Sequence, residues 1–199
     1  MNLRSLALIG VIIFAFNLTG CAVLKGKEAS PQVPEIQQQL YSLQTWKLDG
    51  RIAVKYGDEG WNANLTWEHE DRQDRLLISG PFSQGAVSII MQSGLIYINE
   101  GNGVVTSSHE PDDLLKKRLG FSVPLPSLRY WVLGVPTPGF EYESKINAEA
   151  GVRGFEQQAW VLTFENYENV ASFILPQKIT IQGNAVRLRL VVDEWVLKN

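Results

Sequence analysis

One stretch limits the possible folds more than any other. From Trp61 to Trp67 the chain reads Trp-Asn-Ala-Asn-Leu-Thr-Trp, with Trp61, Ala63, Leu65 and Trp67 at alternate positions and Asn62, Asn64 and Thr66 between them. A period of two marks an extended strand with one face buried and one face wet, because successive side chains leave opposite sides of the pleat. Similar short strand-forming segments occupy Gly50 to Tyr56, Arg75 to Ser79, Ala86 to Gln92, Leu95 to Asn99 and Gly103 to Thr106. After a break they resume at Tyr142 to Ile146, Val152 to Gln157, Ala159 to Phe164, Gln177 to Gln182 and Ala185 to Val192. The gaps of the first run are short and hold Gly, Ser, Asn or Asp, which predicts a meander of hairpins. A sheet of ten or eleven strands must close on itself or split into two layers to hide its edges. The prediction is a mainly β protein, one curved and incompletely closed antiparallel barrel. A two-layer sandwich is the alternative.

Two segments break the alternation. Ile36 to Leu48 has apolar residues at 36, 40, 43, 46 and 48, which predicts a short leading helix. Between the two runs of strands, Glu110, Asp112 and Asp113 open a segment that ends in Lys116, Lys117 and Arg118 before Gly120. Acids first, bases last and a closing Gly are helix polarity and stop signals, so these acids stabilise a helix start rather than form a catalytic cluster. Pro124 and Pro126 interrupt, and Ser127 to Gly134 reads as a second helix with Leu128, Trp131 and Val132 on one side. A helical cover over the mouth of the barrel, about 110–134, follows.

Composition removes several classes of function. Among 199 residues there are 18 Lys and Arg against 21 Asp and Glu, a net charge of −3, so the basic excess of a nucleic-acid binder is missing. One Cys and two His, His69 and His109, exclude an internal disulfide framework and a Cys/His zinc cluster. His69 lies among Glu68, Glu70 and Asp71 and is expected at the surface of a turn. No G-x-S-x-G elbow, H-E-x-x-H pair or G-x-x-x-x-G-K-[ST] loop is present, so neither an enzyme, a cofactor nor a metal is expected.

The first residues read as an address. Arg4 precedes an apolar run from Leu6 to Phe16, too short to cross about 30 Å of hydrocarbon as a helix. Leu18-Thr19-Gly20-Cys21 resembles the bacterial lipobox. That resemblance implies a cleaved signal peptide over 1–20, acylation of Cys21 and, because Ala22 rather than Asp follows, sorting to the outer membrane. More than one acyl chain at about 0.8 kcal/mol per buried CH₂ gives stable anchoring. Residues 21–34 read as the acylated Cys and a flexible tether, and 35–199 as the folded domain.

Four segments resemble the LolB family, outer-membrane receptors of bacterial lipoprotein sorting. They are Gly50 to Val54 (GRIAV), Leu76 to Gly85 (LLISGPFSQG), Leu125 to Pro136 (LPSLRYWVLGVP) and Ala185 to Leu197 (AVRLRLVVDEWVL). The resemblance implies an unclosed barrel with a hydrophobic cavity and a helical lid. It further implies acceptance of acylated lipoproteins from the periplasmic carrier LolA and their insertion into the outer membrane, by a lipid-anchored monomer on the inner leaflet facing the periplasm. Exposing acyl chains to water costs about 0.8 kcal/mol per CH₂, so a carrier of them needs a large apolar cavity. Leu65, Trp67, Leu76, Ile78, Ile89 and Met91 are its candidate lining, and Leu128, Arg129, Trp131, Val132 and Leu133 its candidate lid. The same side chains could instead fill a solid core. In the family the loop matching Gly80, Pro81, Phe82 and Ser83 carries an exposed apolar residue, usually Leu, that engages the membrane. Here it is Phe82, which either faces out or folds back as a plug. Arg129 either pairs with an acid, meets cargo or lies on a solvated helix face. An assembly lipoprotein that binds partners through a sheet edge, and a carrier of another amphiphile on the same fold, remain the competing readings.

Overall fold

The computed structural model describes residues 35–80, 85–147 and 152–198. Among them are three helices, α1 (Glu35–Leu40), α2 (Pro111–Leu119) and α3 (Leu125–Trp131), and eleven strands. The first six strands are β1 (Thr45–Tyr56), β2 (Glu59–Glu70), β3 (Gln73–Ser79), β4 (Val87–Gln92), β5 (Leu95–Asn99) and β6 (Val105–Ser108). The other five are β7 (Tyr142–Asn147), β8 (Val152–Gln157), β9 (Trp160–Val170), β10 (Phe173–Gly183) and β11 (Val186–Leu197). All eleven form one sheet in the order β6-β5-β4-β3-β2-β1-β11-β10-β9-β8-β7, every neighbour antiparallel. The sheet is therefore a meander whose first and last strands meet in the middle. Its two free edges, β6 and β7, are the strands that flank α2 and α3 in the chain, so the helical insertion joins one edge to the other.

Alternation sets the faces. On β11 Val186, Leu188, Leu190 and Val192 are buried, and Arg187 and Arg189 are exposed. On β2 Leu65 and Trp67 are buried, as their spacing predicts. These inward residues merge with Leu114, Leu115, Phe121, Val123, Leu128, Trp131 and Val132 of the insertion into one core. Three of the hairpin turns, Ser93–Gly94, Gln158–Ala159 and Asn184–Ala185, have positive φ at both central residues, as primed turns require.

Two expectations are corrected here. The leading helix stops at Leu40, and β1 begins at Thr45. Trp46 and Leu48 are buried at a spacing of two, so the apparent helical period past Leu40 came from joining a helix end to a strand start. The chain also turns later than expected after β2, at Asp71 rather than across Glu68 to Asp71, with φ 52° at Asp71.

Between Asp49 and Gly50 the β1–β11 register shifts, leaving Asp193 as the extra residue of a bulge. A Cβ at Gly50 would sit 2.3 Å from the carbonyl oxygen of Val191, a backbone atom in the middle of the sheet. Gly50→Ala is therefore expected to destabilise the fold by about 2 kcal/mol, in the range of core overpacking. The midpoint of urea unfolding measures it, and an unchanged midpoint would show that the bulge relaxes freely.

Candidate functional site

Under α3 lies an apolar cavity of about 50 Å³. Its walls are Ile52 of β1, Leu65 and Trp67 of β2, Leu76 and Ile78 of β3, Ile179 and Ile181 of β10, and Leu188 and Leu190 of β11, closed above by Leu128 and Val132. No charged or hydrogen-bonding side chain other than the Trp67 indole lines it. One water needs about 10–15 Å³ of such space, so the cavity holds a few waters or methylene groups and no acyl chain. Leu128 and Val132 lie directly against the sheet side of this space. Lifting Leu128 and Val132 would open the whole sheet-side wall.

The remaining candidates lie around this cavity. Ile89 is buried and Met91 half-buried, both on β4, one strand beyond the cavity wall. Trp131 is fully buried with its ring 6.2 Å from that of Trp160, and Leu133 is buried in the core. Arg129 is half-buried and has no acid partner among the described residues; its guanidinium lies 4.9 Å over the Tyr130 ring and donates to the Tyr130 hydroxyl at 3.1 Å. Gly80 is half-buried at the end of β3. Cys21, Pro81, Phe82 and Ser83 lie outside the described residues.

A residue that sequence reasoning passed over holds the end of α3. Gln157, at the end of β8, is 1% exposed. Its Oε1 accepts hydrogen bonds from Trp131 Nε1 and from the Thr137 backbone N–H, each at 2.8 Å. Its Nε2 donates to the carbonyls of Thr137 at 3.1 Å and Phe140 at 3.2 Å. All four sites of one amide are thus used to tie the end of α3 and the loop after it to the sheet. Tyr41 adds a second tie, donating its hydroxyl to the Pro136 carbonyl at 2.9 Å, and burial pushes that phenol up to about 12. Ser127 donates to Gln158 at 3.2 Å from the first turn of α3. The signal for Gln157 was its parity: it shares the inward face of β8 with Phe155.

His69 is a correction. It is 7% exposed, at the end of β2 on the face of Leu65 and Trp67, not on a surface turn. Its Nδ1 is 2.9 Å from Asp74 Oδ1, which also accepts from Trp67 Nε1 at 3.0 Å. Trp46 stacks on the His69 ring at 5.4 Å and meets Trp67 and Trp195 at 5.4 and 5.8 Å. The flanking Glu68 and Glu70 point outward, as the period of two demands. Asp112 and Asp113 lie in the first turn of α2, where burial and the neighbouring Asp113 push the Asp112 carboxyl up.

Residues 44–195 match the family model described as outer membrane lipoprotein LolB. The chain belongs to the LolB family. It is 31% identical over 185 residues to the outer-membrane lipoprotein LolB of Nitrosococcus oceani, covering 90% of this chain and 92% of that one. It is 27% identical over 191 residues to the LolB of Cellvibrio japonicus, covering 94% of each. A DUF1329 family protein from Desulfovibrio piger shares the fold at a TM-score of 0.55 and 7% identity, over 81% of this chain and 89% of that one. The four LolB-like segments now have places. GRIAV is the middle of β1, LLISG closes β3, LPSLRYWVLGVP is α3 with its tethered end, and AVRLRLVVDEWVL is β11, paired with β1. As a member of that family, the protein is an outer-membrane lipoprotein with a role in transport. Among the described residues no helix is long and apolar enough to cross a membrane.

Proposed function

We propose that this LolB is anchored to the inner leaflet of the outer membrane by an acylated Cys21, faces the periplasm, accepts acylated lipoproteins from the carrier LolA and delivers them to the membrane. The observation that carries this reading is the apolar space between the sheet and α3, closed by Leu128 of α3 and by Val132 just after it, with α3 tied to the end of β8 by hydrogen bonds from Ser127 and Trp131. Separating α3 from the wall exposes a continuous hydrophobic surface, which an acyl chain covers in place of Leu128 and Val132. Covering it restores about 25 cal/mol for each Å² of apolar area removed from water. No bond is made or broken, and no residue is asked to act as acid, base or nucleophile. Cargo moves downhill, from the carrier to a tighter site here and then to the bilayer. Within this reading residues 1–20 are the cleaved leader, 21–34 the tether, and Phe82 the apolar tip that meets the membrane.

The test uses the chain from Ala22 onward, mixed with carrier-bound, radiolabelled triacylated lipoprotein. Label is expected to pass to this protein and to be recovered with it by pull-down. Phe82→Glu is expected to leave that acceptance intact while reducing delivery to liposomes at least tenfold, since a carboxylate resists the bilayer interior by about 2.5–3.5 kcal/mol. Label that stays on the carrier while this protein remains folded would sink the receptor reading.

A further inference from the structure

The outer face of β1, β2 and β11 is electrically divided along the strands, although Arg75 of β3 stands opposite Glu68 at the acidic end. On β1, β2 and β11 the residues facing away from the core near one end include Asp49, Glu68, Glu70 and Glu194, with Lys47 paired to Asp49 at 2.7 Å. Toward the other end stand Arg51, Lys55, Arg187 and Arg189. Arg51 is held by Asp193, with Nη2 to Oδ1 at 2.8 Å. Lys55, Arg187 and Arg189 make no ion pair among the described residues, and Lys55 is directly opposite Arg187 in the β1–β11 register. Like charges directly opposite across a strand pair oppose folding. Three such exposed basic groups, in a chain with a net charge of −3, leave a local positive field that an anion from outside can meet. The three side chains surround a hollow of about 360 Å³ floored by Ala53 and Asn62, with Asp58 and Glu59 of the β1–β2 turn at its rim and outside ion-pair distance. Ala53 and Asn62 are short, so the cationic heads can converge on a ligand.

We infer that this basic end of the outer face docks on anionic phospholipid headgroups and sets which end of the molecule meets the bilayer. Two features favour a bilayer over an acidic protein. Tyr56 and Trp61, each 38% exposed, stand at the same end on the inward face of the sheet, where amphipathic rings suit a headgroup boundary met end-on. The β3–β4 connection also leaves the sheet at this end, since Ser79 pairs with Asn64 on the side of the β1–β2 turn. The acids at the opposite end are repelled by the same surface, so attraction and repulsion turn the molecule one way. The inference rests on the delivery reading for its purpose, but headgroup binding is measurable without cargo.

The chain from Ala22 onward suits the measurement, because among the described residues every buried core residue lies between Leu40 and Trp195. Its partition onto vesicles of phosphatidylethanolamine, with and without phosphatidylglycerol, is read by sedimentation at low and high ionic strength. Binding is expected to need phosphatidylglycerol and to fall with salt. Each basic residue near an anionic surface contributes about fivefold, so Lys55→Gln, Arg187→Gln and Arg189→Gln together should weaken binding roughly a hundredfold. Asp49→Asn with Glu194→Gln should leave it at the wild-type level or stronger. Equal binding to both vesicles, or a triple variant that binds as wild type, overturns the inference. If that triple variant binds vesicles normally but no longer takes cargo from the carrier, the patch docks a protein instead. Failure of the wild-type chain to take cargo counts against the receptor reading and leaves the vesicle result standing.

Discussion

Gln157→Leu is expected to destabilise the domain by about 4 kcal/mol and to loosen the end of α3. The substitution keeps the volume but removes both polar ends of the amide. Trp131 Nε1, the Thr137 N–H and the Thr137 carbonyl then lose their partner in a buried place. Each orphaned group costs about 1–3 kcal/mol, with some relief because the chain after Thr137 is exposed and can reach water. Chemical unfolding followed by Trp fluorescence gives the magnitude. A second readout separates loss of the latch from general weakening: binding of an apolar dye at low denaturant, which should rise because the cavity wall is uncovered. If stability falls by less than about 1 kcal/mol, the amide is not what holds the end of α3.

Asp74→Ala is expected to cost about 3 kcal/mol. The carboxyl is 4% exposed, and its Oδ1 serves Trp67 Nε1 and stands at hydrogen-bond distance from His69 Nδ1. Removing it leaves two buried polar groups without their acceptor and opens a small void beside Trp67 and His69. Asp74→Asn keeps an acceptor oxygen and should cost about 1 kcal/mol, the difference between a charge-assisted and a neutral hydrogen bond. Thermal unfolding of the two variants side by side distinguishes the contributions. Equal losses would mean that packing around Trp46, and not the acceptor, sets the stability of this corner. Trp67 belongs both to this network and to the cavity wall, so under the proposed receptor function the Ala variant should also weaken uptake of cargo.

Along the chain, the sequence alone determined what local period can determine. Trp61 to Trp67 specified a strand and its wet and dry faces, because the pleat leaves no other way to sort Trp and Leu from Asn and Thr. Acids before Leu114, bases before Gly120 and the Gly itself specified α2, because they match the helix dipole and its left-handed cap; Gly120 has φ 81°. The LolB-like segments were legible for the same reason, as runs of neighbouring residues. Tertiary structure decided the rest. Trp46 and Leu48 read as helix until β2 and β11 offered them strand partners. His69 looked exposed because its neighbours are acids, yet its parity put it inside, where Asp74 could satisfy it. Gln158–Ala159 carries no turn signal and turns because β8 and β9 are held together on either side. Gln157 is an ordinary polar residue in sequence and becomes the latch only when Trp131 and Thr137, more than twenty and exactly twenty positions away, are brought against it. The width of the cavity was likewise beyond the sequence. The same apolar residues can fill a space or line one, and the choice belongs to the position of α3 over the sheet, which depends on contacts between residues far apart in the chain.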